Sequence, residues 1–329
     1  MNVSIVIPNF NGEKFLIDCL TTLKEQSYQD YETILVDNGS TDDSIKLALE
    51  IMPEINCLLL DENKGFSAAV NQGILNSKGK YVALLNNDTL LTVKWLENLL
   101  ACIESDENVF SCSSKMIQFH DNKLIDNAGD AFTVFGWAYQ EGHGENINKY
   151  LDNRYIFTSC AGAAIYRREV FDKIGYFDEQ FFAYLEDVDI GYRARIEGYD
   201  NLYCAESIIY HIGSATTGNG YNSVKVKLSA RNNVYLLYKN MLGIQLLLNA
   251  PFLIVGHLFK YQFYKKIGFQ KEYSEGIRQG ITNRKNLTKT EFKISNMRNY
   301  VSIQYWLIKK GLQYGIVKIK KMLKLKNDI

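Results

Sequence analysis

Asn86, Asn87 and Asp88 follow directly on Tyr81-Val-Ala-Leu-Leu85, five aromatic and aliphatic residues that are too few for a helix and read as a buried parallel strand. In an open α/β sheet the loops leaving the carboxyl ends of the strands line the ligand crevice, which puts these three side chains on its floor. A carboxylate there can hold Mg²⁺ or Mn²⁺ against a diphosphate, because such ions take few protein oxygens and complete their shell from phosphate and water. Asp88 has a second reading, as the cap of a helix expected over Val93 to Glu104. Further along, Phe181-Phe-Ala-Tyr-Leu-Glu-Asp-Val-Asp-Ile-Gly-Tyr-Arg-Ala-Arg195 sets Glu186, Asp187 and Asp189 at an aromatic-to-helix junction. Asp189 pairs with Arg193 one helical turn on. Glu186 and Asp187 have aromatic neighbours, which implies partial desolvation and a raised pKa, the property a general base needs. His211 ends the apolar run Ile208-Ile-Tyr210. A lone histidine of this kind is ordinarily structural; beside three oxygen-rich loops at one sheet edge it could complete a metal site.

The elements that must carry these residues alternate regularly. Val3 to Ile7 reads as a strand stopped by Pro8-Asn-Phe-Asn-Gly12, and Phe15, Leu16, Cys19, Leu20 and Leu23 then recur at helical spacing. The Gly-rich GxGxxG of a dinucleotide fold is absent from that first loop, which argues against a dehydrogenase. Glu32 to Val36 reads as the second strand, ending in Asp37-Asn-Gly-Ser-Thr-Asp-Asp43, where Ser40 or Thr41 is expected to cap a helix running to Met52. Asp37 precedes that cap and is free to accept hydrogen bonds from a base or ribose. Cys57 to Leu60 reads as the third strand. In the loop after it Gly65 permits a tight turn, and Lys64 can either reach a phosphate or remain solvated. Four strands alternating with helices predict a parallel, doubly wound sheet. Val109 to Met116 and Phe157 to Tyr166 read as further strands, while residues 117 to 156 mix Gly, Asn, Asp and aromatics without period, as a substrate-shaping insertion would.

With 329 residues the chain can bury a large core. No basic secretory start precedes the first strand, which predicts a cytosolic protein. Six scattered cysteines without CxxC spacing favour reduced, buried thiols. The zero net charge hides a division: from Lys260 onward there are 17 Lys and Arg against 4 acidic residues, leaving 20 basic against 33 acidic before it. A basic tail of this kind addresses an anionic surface. No base-stacking or groove-reading motif accompanies it, so no nucleic acid is expected.

The runs Ser4-Ile-Val-Ile-Pro-Asn-Phe-Asn-Gly12, Leu35-Val-Asp-Asn-Gly-Ser-Thr-Asp42, Asn63-Lys-Gly-Phe66, Leu84-Leu-Asn-Asn-Asp-Thr89, Tyr184-Leu-Glu-Asp-Val-Asp189 and Tyr210-His-Ile-Gly213 occur in the order and rough spacing of family 2 glycosyltransferases. The chain resembles these inverting enzymes of the GT-A fold, and among them the rhamnosyltransferase-like branch that builds bacterial surface polysaccharides. The resemblance covers residues 1 to 240. It implies a nucleotide-sugar donor such as dTDP-rhamnose or a UDP-sugar, and a glycan or lipid-linked acceptor. It implies nucleotide binding by Pro8, Asn11 and Asp37, to which Lys64 and Asn86 are added as candidates. It further implies that Asp88 is the last carboxylate of the metal-binding DxD motif, that Asp187 is the catalytic base with Glu186 its acidic partner, and that His211 helps hold the metal diphosphate. Asn86 stands where the motif has its first Asp, which leaves one full anionic ligand and predicts weaker metal affinity. A nucleotidyltransferase would share the sheet and the carboxylate but would want a basic Gly-rich phosphate loop, which Pro8 to Gly12 does not offer. A degenerate nucleotide-binding scaffold is the non-enzymatic alternative.

Residues 241 to 329 are expected to form a helical, basic extension. Met241 to Phe259 is largely apolar but interrupted by Gln245, Asn249, Pro251 and His257, which suits a helix lying in a membrane interface or packed on the catalytic domain better than one that spans. Val301, Tyr305, Ile308, Leu312, Ile316, Ile319 and Leu323 recur every three or four residues, with Lys310, Lys320, Lys321 and Lys324 on other faces. This basic amphipathic helix predicts peripheral attachment to the anionic inner face of the cell membrane, where a lipid-linked acceptor would be presented.

Overall fold

The computed structural model describes residues 1–213 and 220–327, with side chains as far as Val317. In chain order it contains β1 (Val3–Asn9), α1 (Glu13–Lys24), β2 (Tyr31–Asp37), α2 (Ser44–Ile51), β3 (Asn56–Leu59), α3 (Phe66–Leu75), β4 (Tyr81–Leu85), β5 (Thr89–Leu91), α4 (Trp95–Glu104), β6 (Val109–Gln118), β7 (Ile125–Asn127), β8 (Asp130–Phe132), β9 (Ala138–Gln140), β10 (Arg154–Ile156), β11 (Ala163–Arg167), α5 (Arg168–Ile174), α6 (Glu186–Ile196), β12 (Asp200–His211), α7 (Ser223–Asn240), α8 (Gly243–Lys266), α9 (Gln270–Asn283) and α10 (Met297–Asn327).

The main sheet has the order β10-β12-β6-β11-β4-β1-β2-β3. Its N-terminal half, β3-β2-β1-β4, is wholly parallel. β11 then enters antiparallel between β4 and β6, and β12 runs parallel to β6. Period-two alternation feeds both faces of the sheet. On β1, Val3, Ile5 and Ile7 pack with Leu16, Leu20, Ala48, Trp95 and Leu99 on one side. Val6 joins Ala69, Val70, Phe171 and Ile190 on the other. A third core, built from Phe132, Phe157, Phe181, Tyr192, Leu236, Leu253, Ile303 and Leu307, fastens α7, α8 and α10 to α6 and the β8–β9 hairpin.

Several sequence expectations shift. The helix after β4 begins at Trp95 and not Val93, and β5 intervenes to pair with β12, so Asp88 caps no helix. α2 begins at Ser44, where Asp42 Oδ1 accepts from the Ser44 N–H at 3.2 Å; Ser40 and Thr41 lie too early to cap it. The strand expected over 157–166 starts only at Ala163, because residues 160–162 turn back on themselves, with the Ala163 N–H on the Cys160 carbonyl. After the end of β6, segment 117–156 holds four strands of three residues each, too short to carry a readable period. All six cysteines are free thiols.

α8 is patterned inside out. Its polar interruptions face inward: Gln245 and Asn249 are buried, and Asn249 exchanges hydrogen bonds with Gln304 of α10 at 3.0 and 2.7 Å. Its apolar residues Leu247, Leu248, Ile254, Leu258 and Phe259 face solvent, Leu247 at 71% exposure. The expected stripe Val301, Tyr305, Ile308, Leu312 and Ile316 of α10 is likewise exposed. Lys310 is not on a solvated face: it is 5% exposed and ion-paired with Glu141, which also takes Arg154. The side chains of Ile319, Lys320, Lys321, Leu323 and Lys324 lie outside the described residues.

Candidate active site

The carboxyl ends of β1, β2 and β4 are tied together by one buried side chain. Asn9, the last residue of β1, donates through Nδ2 to Asp37 Oδ1 at 3.0 Å and to Ser44 Oγ at 2.9 Å, while its Oδ1 accepts from Asn87 Nδ2 at 2.8 Å. The second oxygen of Asp37 accepts from the Ser40 N–H at 3.0 Å. Asp37 is therefore fixed rather than free, with one lone pair on each oxygen left for a ligand. Asn11 adopts φ 51° and receives the Thr41 N–H on Oδ1 at 2.9 Å, which joins the Pro8–Gly12 loop to the loop after β2.

The rim continues through Asn38. Its Nδ2 donates to Asn63 Oδ1 and to the Gly65 carbonyl, both at 3.1 Å, and its Oδ1 takes the Lys64 N–H at 2.9 Å. The Lys64 side chain is exposed and is in no ion pair among the described residues. Gly65 has φ +89°, and a Cβ there would stand 2.5 Å from the Phe182 carbonyl oxygen, so only glycine lets this loop meet the segment that leads to Asp187.

Asp88 is buried at the end of β4 and receives the Ile212 N–H on its carbonyl at 3.0 Å, beside the last residue of β12. Its Oδ1 lies 3.4 Å from His211 Nε2, and His211 Nδ1 lies 2.7 Å from Asp126 Oδ2. Burial works against a charged His211, but the hydrogen bonds to Asp126 and Asp88 outweigh it and lift its pKa to about 10. Asp126 is pulled the other way: burial would raise it, but bonds from His143 and His211 hold it well below the usual carboxylate range. A carboxylate oxygen and an imidazole nitrogen at this separation, with a second carboxylate behind the ring, form a donor set that fits a divalent cation. Asp88 and His211 would hold it directly, and Asp126 would orient the ring.

Asp187 sits in the first turn of α6. Its Oδ1 accepts the Val188 N–H at 2.8 Å, and the Ala161 N–H also donates to the carboxylate. Burial pushes its pKa up to about 6 against those donors. The neighbouring residue of the same turn, Gly162, accepts the Asn86 N–H at 2.8 Å, so adjacent residues carry the contact to Asp187 and the contact to the end of β4. Glu186 is 7% exposed, and its Oε2 has no hydrogen-bond partner among the described residues. Burial first and the Asp187 charge second hold its pKa well above the ordinary value. Asp189 is different: burial would raise it, yet Lys239 and Arg193 keep it ionised, with Arg193 Nε at 2.9 Å.

Two site residues escaped the sequence reading. A carboxylate oxygen of Asp130 and the Cys160 sulfur lie with an Asp187 oxygen, all within 4.8 Å of one another. Asp130 is buried, and burial followed by the Asp187 charge raises its pKa well above the usual carboxylate range. Asp126 is the other. Both come from Ile125-Asp-Asn-Ala-Gly-Asp130, whose two carboxylates flanking a turn are the one signal that could have drawn attention inside an otherwise aperiodic segment.

A family model described as glycosyl transferase family 2 matches residues 4–175. The glycosyltransferase GlyG of Streptococcus pneumoniae serotype 4 is 35% identical over 108 residues, which are 32% of this chain and 36% of that protein. The chain thus spans little more than a third of that relative's length. The uncharacterized glycosyltransferase YwdF of Bacillus subtilis is 28% identical over 219 residues, 65% of this chain and 76% of that protein. Among solved structures, GalNAc-T7 with UDP, GalNAc and Mn²⁺ superposes with a TM-score of 0.59 at 17% identity, over 72% of this chain and 47% of that one. S. aureus TarS 1-349 in complex with UDP gives 0.51 at 15% identity, over 92% and 78%. At these identities the likeness is one of fold.

Proposed function

Because the chain belongs to glycosyl transferase family 2 and has the GT-A fold, we propose that it transfers a sugar, with inversion, from a nucleoside diphosphate donor to an acceptor hydroxyl, with Asp187 as the general base. The observation that carries this reading is the continuous rim: Asp37 to Asn9 to Asn87 beside Asp88, and Asn86 to the 161–162 turn to Asp187. A nucleotide end and a base at one sheet edge suit a donor in which sugar and nucleotide are joined by a diphosphate. Family membership sets aside the nucleotidyltransferase reading.

In this mechanism Asp37 and Asn11 bind the nucleoside, with Pro8 shaping their loop and Lys64 and Asn86 at the phosphate side. Asp88 and His211 hold Mg²⁺ or Mn²⁺, which when bound offsets the charge developing on the leaving diphosphate. Asp187 takes the proton of the acceptor hydroxyl as that oxygen attacks the anomeric carbon from the face opposite the diphosphate. Glu186 is its acidic partner in the same turn, its pKa raised by burial and by the Asp187 charge. UDP-sugars are the first donors to test, since both solved neighbours were obtained with UDP; dTDP-rhamnose follows, as the rhamnosyltransferase-like motifs favour, with a glycan or lipid-linked acceptor in surface polysaccharide synthesis. Residues 1–240 form the catalytic unit in this reading and 241–329 its attachment to the membrane. The outward apolar faces of α8 and α10, with Lys265, Lys266 and Lys309 exposed beside them, suit the anionic inner leaflet.

The test is release of the nucleoside diphosphate (UDP, dTDP or GDP) across UDP-, dTDP- and GDP-sugars with Mn²⁺. Release from one base class is expected; no release from any, together with no rise in Tm on adding UDP, dTDP or GDP with Mn²⁺, overturns the reading.

A further inference from the structure

The backbone just before the proposed base is held in an uncommon conformation. Phe182, Tyr184 and Leu185 have φ of 63°, 73° and 69°, a region that residues with a Cβ rarely occupy singly and seldom in so close a group. Within the segment, the Ala183 N–H donates to the Phe181 carbonyl at 2.7 Å. The left-handed run turns the carbonyls of Phe181, Ala183 and Tyr184 inward, and buried carbonyls need donors.

All three find the same one. Asn232, fully buried on α7, directs Nδ2 to the oxygens of Phe181 at 2.9 Å, Ala183 at 2.8 Å and Tyr184 at 2.7 Å. Arg231 steadies it, with Nε on Asn232 Oδ1 at 2.9 Å, and donates through Nη2 to the Gln180 and Phe181 oxygens at 3.1 and 2.8 Å. Two turns along the same helix, Lys239 bridges Asp178 at 2.7 Å and Asp189 at 3.0 Å, and Asn240 donates to the other oxygen of Asp189 at 2.7 Å. One helix thus grips the segment before, within and after the left-handed run. None of these contacts involves Asp187 itself.

We propose that Asn232, with Arg231, is a positioning residue for the base: it holds residues 181–185 in the left-handed run and so sets where the first turn of α6 presents the Asp187 carboxylate. An ordinary buried asparagine that satisfies a loop would affect stability alone. A positioning residue acts on the chemical step and on the environment of Asp187. This rests on the reading of Asp187 as base.

The experiment uses the full chain and whichever nucleotide sugar of the panel the wild type turns over. Asn232→Ala is compared with Leu253→Ala, which removes core volume elsewhere in the same cluster, both assayed well below their Tm. Expected for Asn232→Ala is a fall in kcat of roughly 10²-fold, the effect of about 1 Å of misplacement, larger than any rise in donor KM, which is confined to what the Gly65 loop feels through its contact with Phe182. The acid limb of its pH profile moves below that of the wild type as water reaches Asp187. Asn232→Asp, which sets a carboxylate against three carbonyls, is at least as impaired. Should Asn232→Ala not fold, Arg231→Ala, only half-buried, is the readout, with a milder kcat loss of about tenfold expected. A kcat within twofold of the Leu253→Ala protein, or an unmoved acid limb, overturns the proposal while leaving the transferase reading intact. A wild type that turns over no donor removes both.

Discussion

Asp187→Asn separates chemistry from stability, because the two should move in opposite directions. Asparagine keeps the shape and the oxygen that accepts the Val188 N–H at 2.8 Å, and removes only the ionisation. General-base assistance is worth about 10²–10⁴-fold, or about 3–5 kcal/mol at about 1.36 kcal/mol per decade, and kcat should fall by that factor. Stability follows from the raised pKa. A carboxyl that ionises at about 6 in the folded chain against an ordinary 3.8 disfavours the native state once it is charged. That penalty is absent below pH 3.8, grows up to about 6 and is complete above it. The shift corresponds to on the order of 3 kcal/mol, reduced by the partial exposure of the side chain. The charge also lies against the buried Glu186 and Asp130, whose pKa values it helps to raise. Asp187→Asn should therefore melt at or above the wild-type temperature at pH 7.5 and lose that margin at pH 4, while UDP with Mn²⁺ still raises its Tm. In the wild type, kcat/KM should rise through about pH 6 and level off. Kinetics of nucleoside diphosphate release and paired melting curves are the assay. A variant that keeps kcat within tenfold, or one whose loss is matched by a lower Tm at pH 7.5, refutes the assignment.

Three further outcomes are open to measurement. Removing the carboxylate behind a metal-bound histidine typically weakens metal affinity by about 10–100-fold, so Asp126→Ala should need that much more Mn²⁺ for the same Tm rise with UDP, and Asp88→Ala should show none at any concentration. Lys310→Met leaves Glu141 with Arg154 alone, and since breaking a buried pair costs about 3–5 kcal/mol when no partner remains, a loss nearer about 1–3 kcal/mol in urea titration is expected; no loss would mean the pair is dispensable. Leu247→Glu with Leu258→Glu, and separately Leu312→Glu, change exposed positions only and should abolish co-sedimentation with anionic vesicles while leaving Tm within a few degrees. Deleting residues 300–329 is the poorer test, because Tyr300, Ile303 and Leu307 are core residues whose removal would unfold the extension.

The alternation of short apolar strands with amphipathic helices was enough to specify β1 to β4 and α1 to α4, because buried parallel strands need both faces apolar and so advertise themselves. The same logic located Asp37, Asp88, Asp187 and His211, each at the point where an apolar run gives way to polar residues. Only the tertiary structure decided what those residues touch. Asp88 is free of any helix cap because β5 pairs with β12, a register that no local pattern encodes. Asp126 and Asp130 lie on strands of three residues, too short for periodicity, and Asn232 is one polar side chain on a helix, 45 residues beyond Asp187. Local spacing records which residues share a face of one element. Which elements meet is settled by the packing of side chains distant in sequence, and that is where the rim of this crevice, and the clamp behind it, are made.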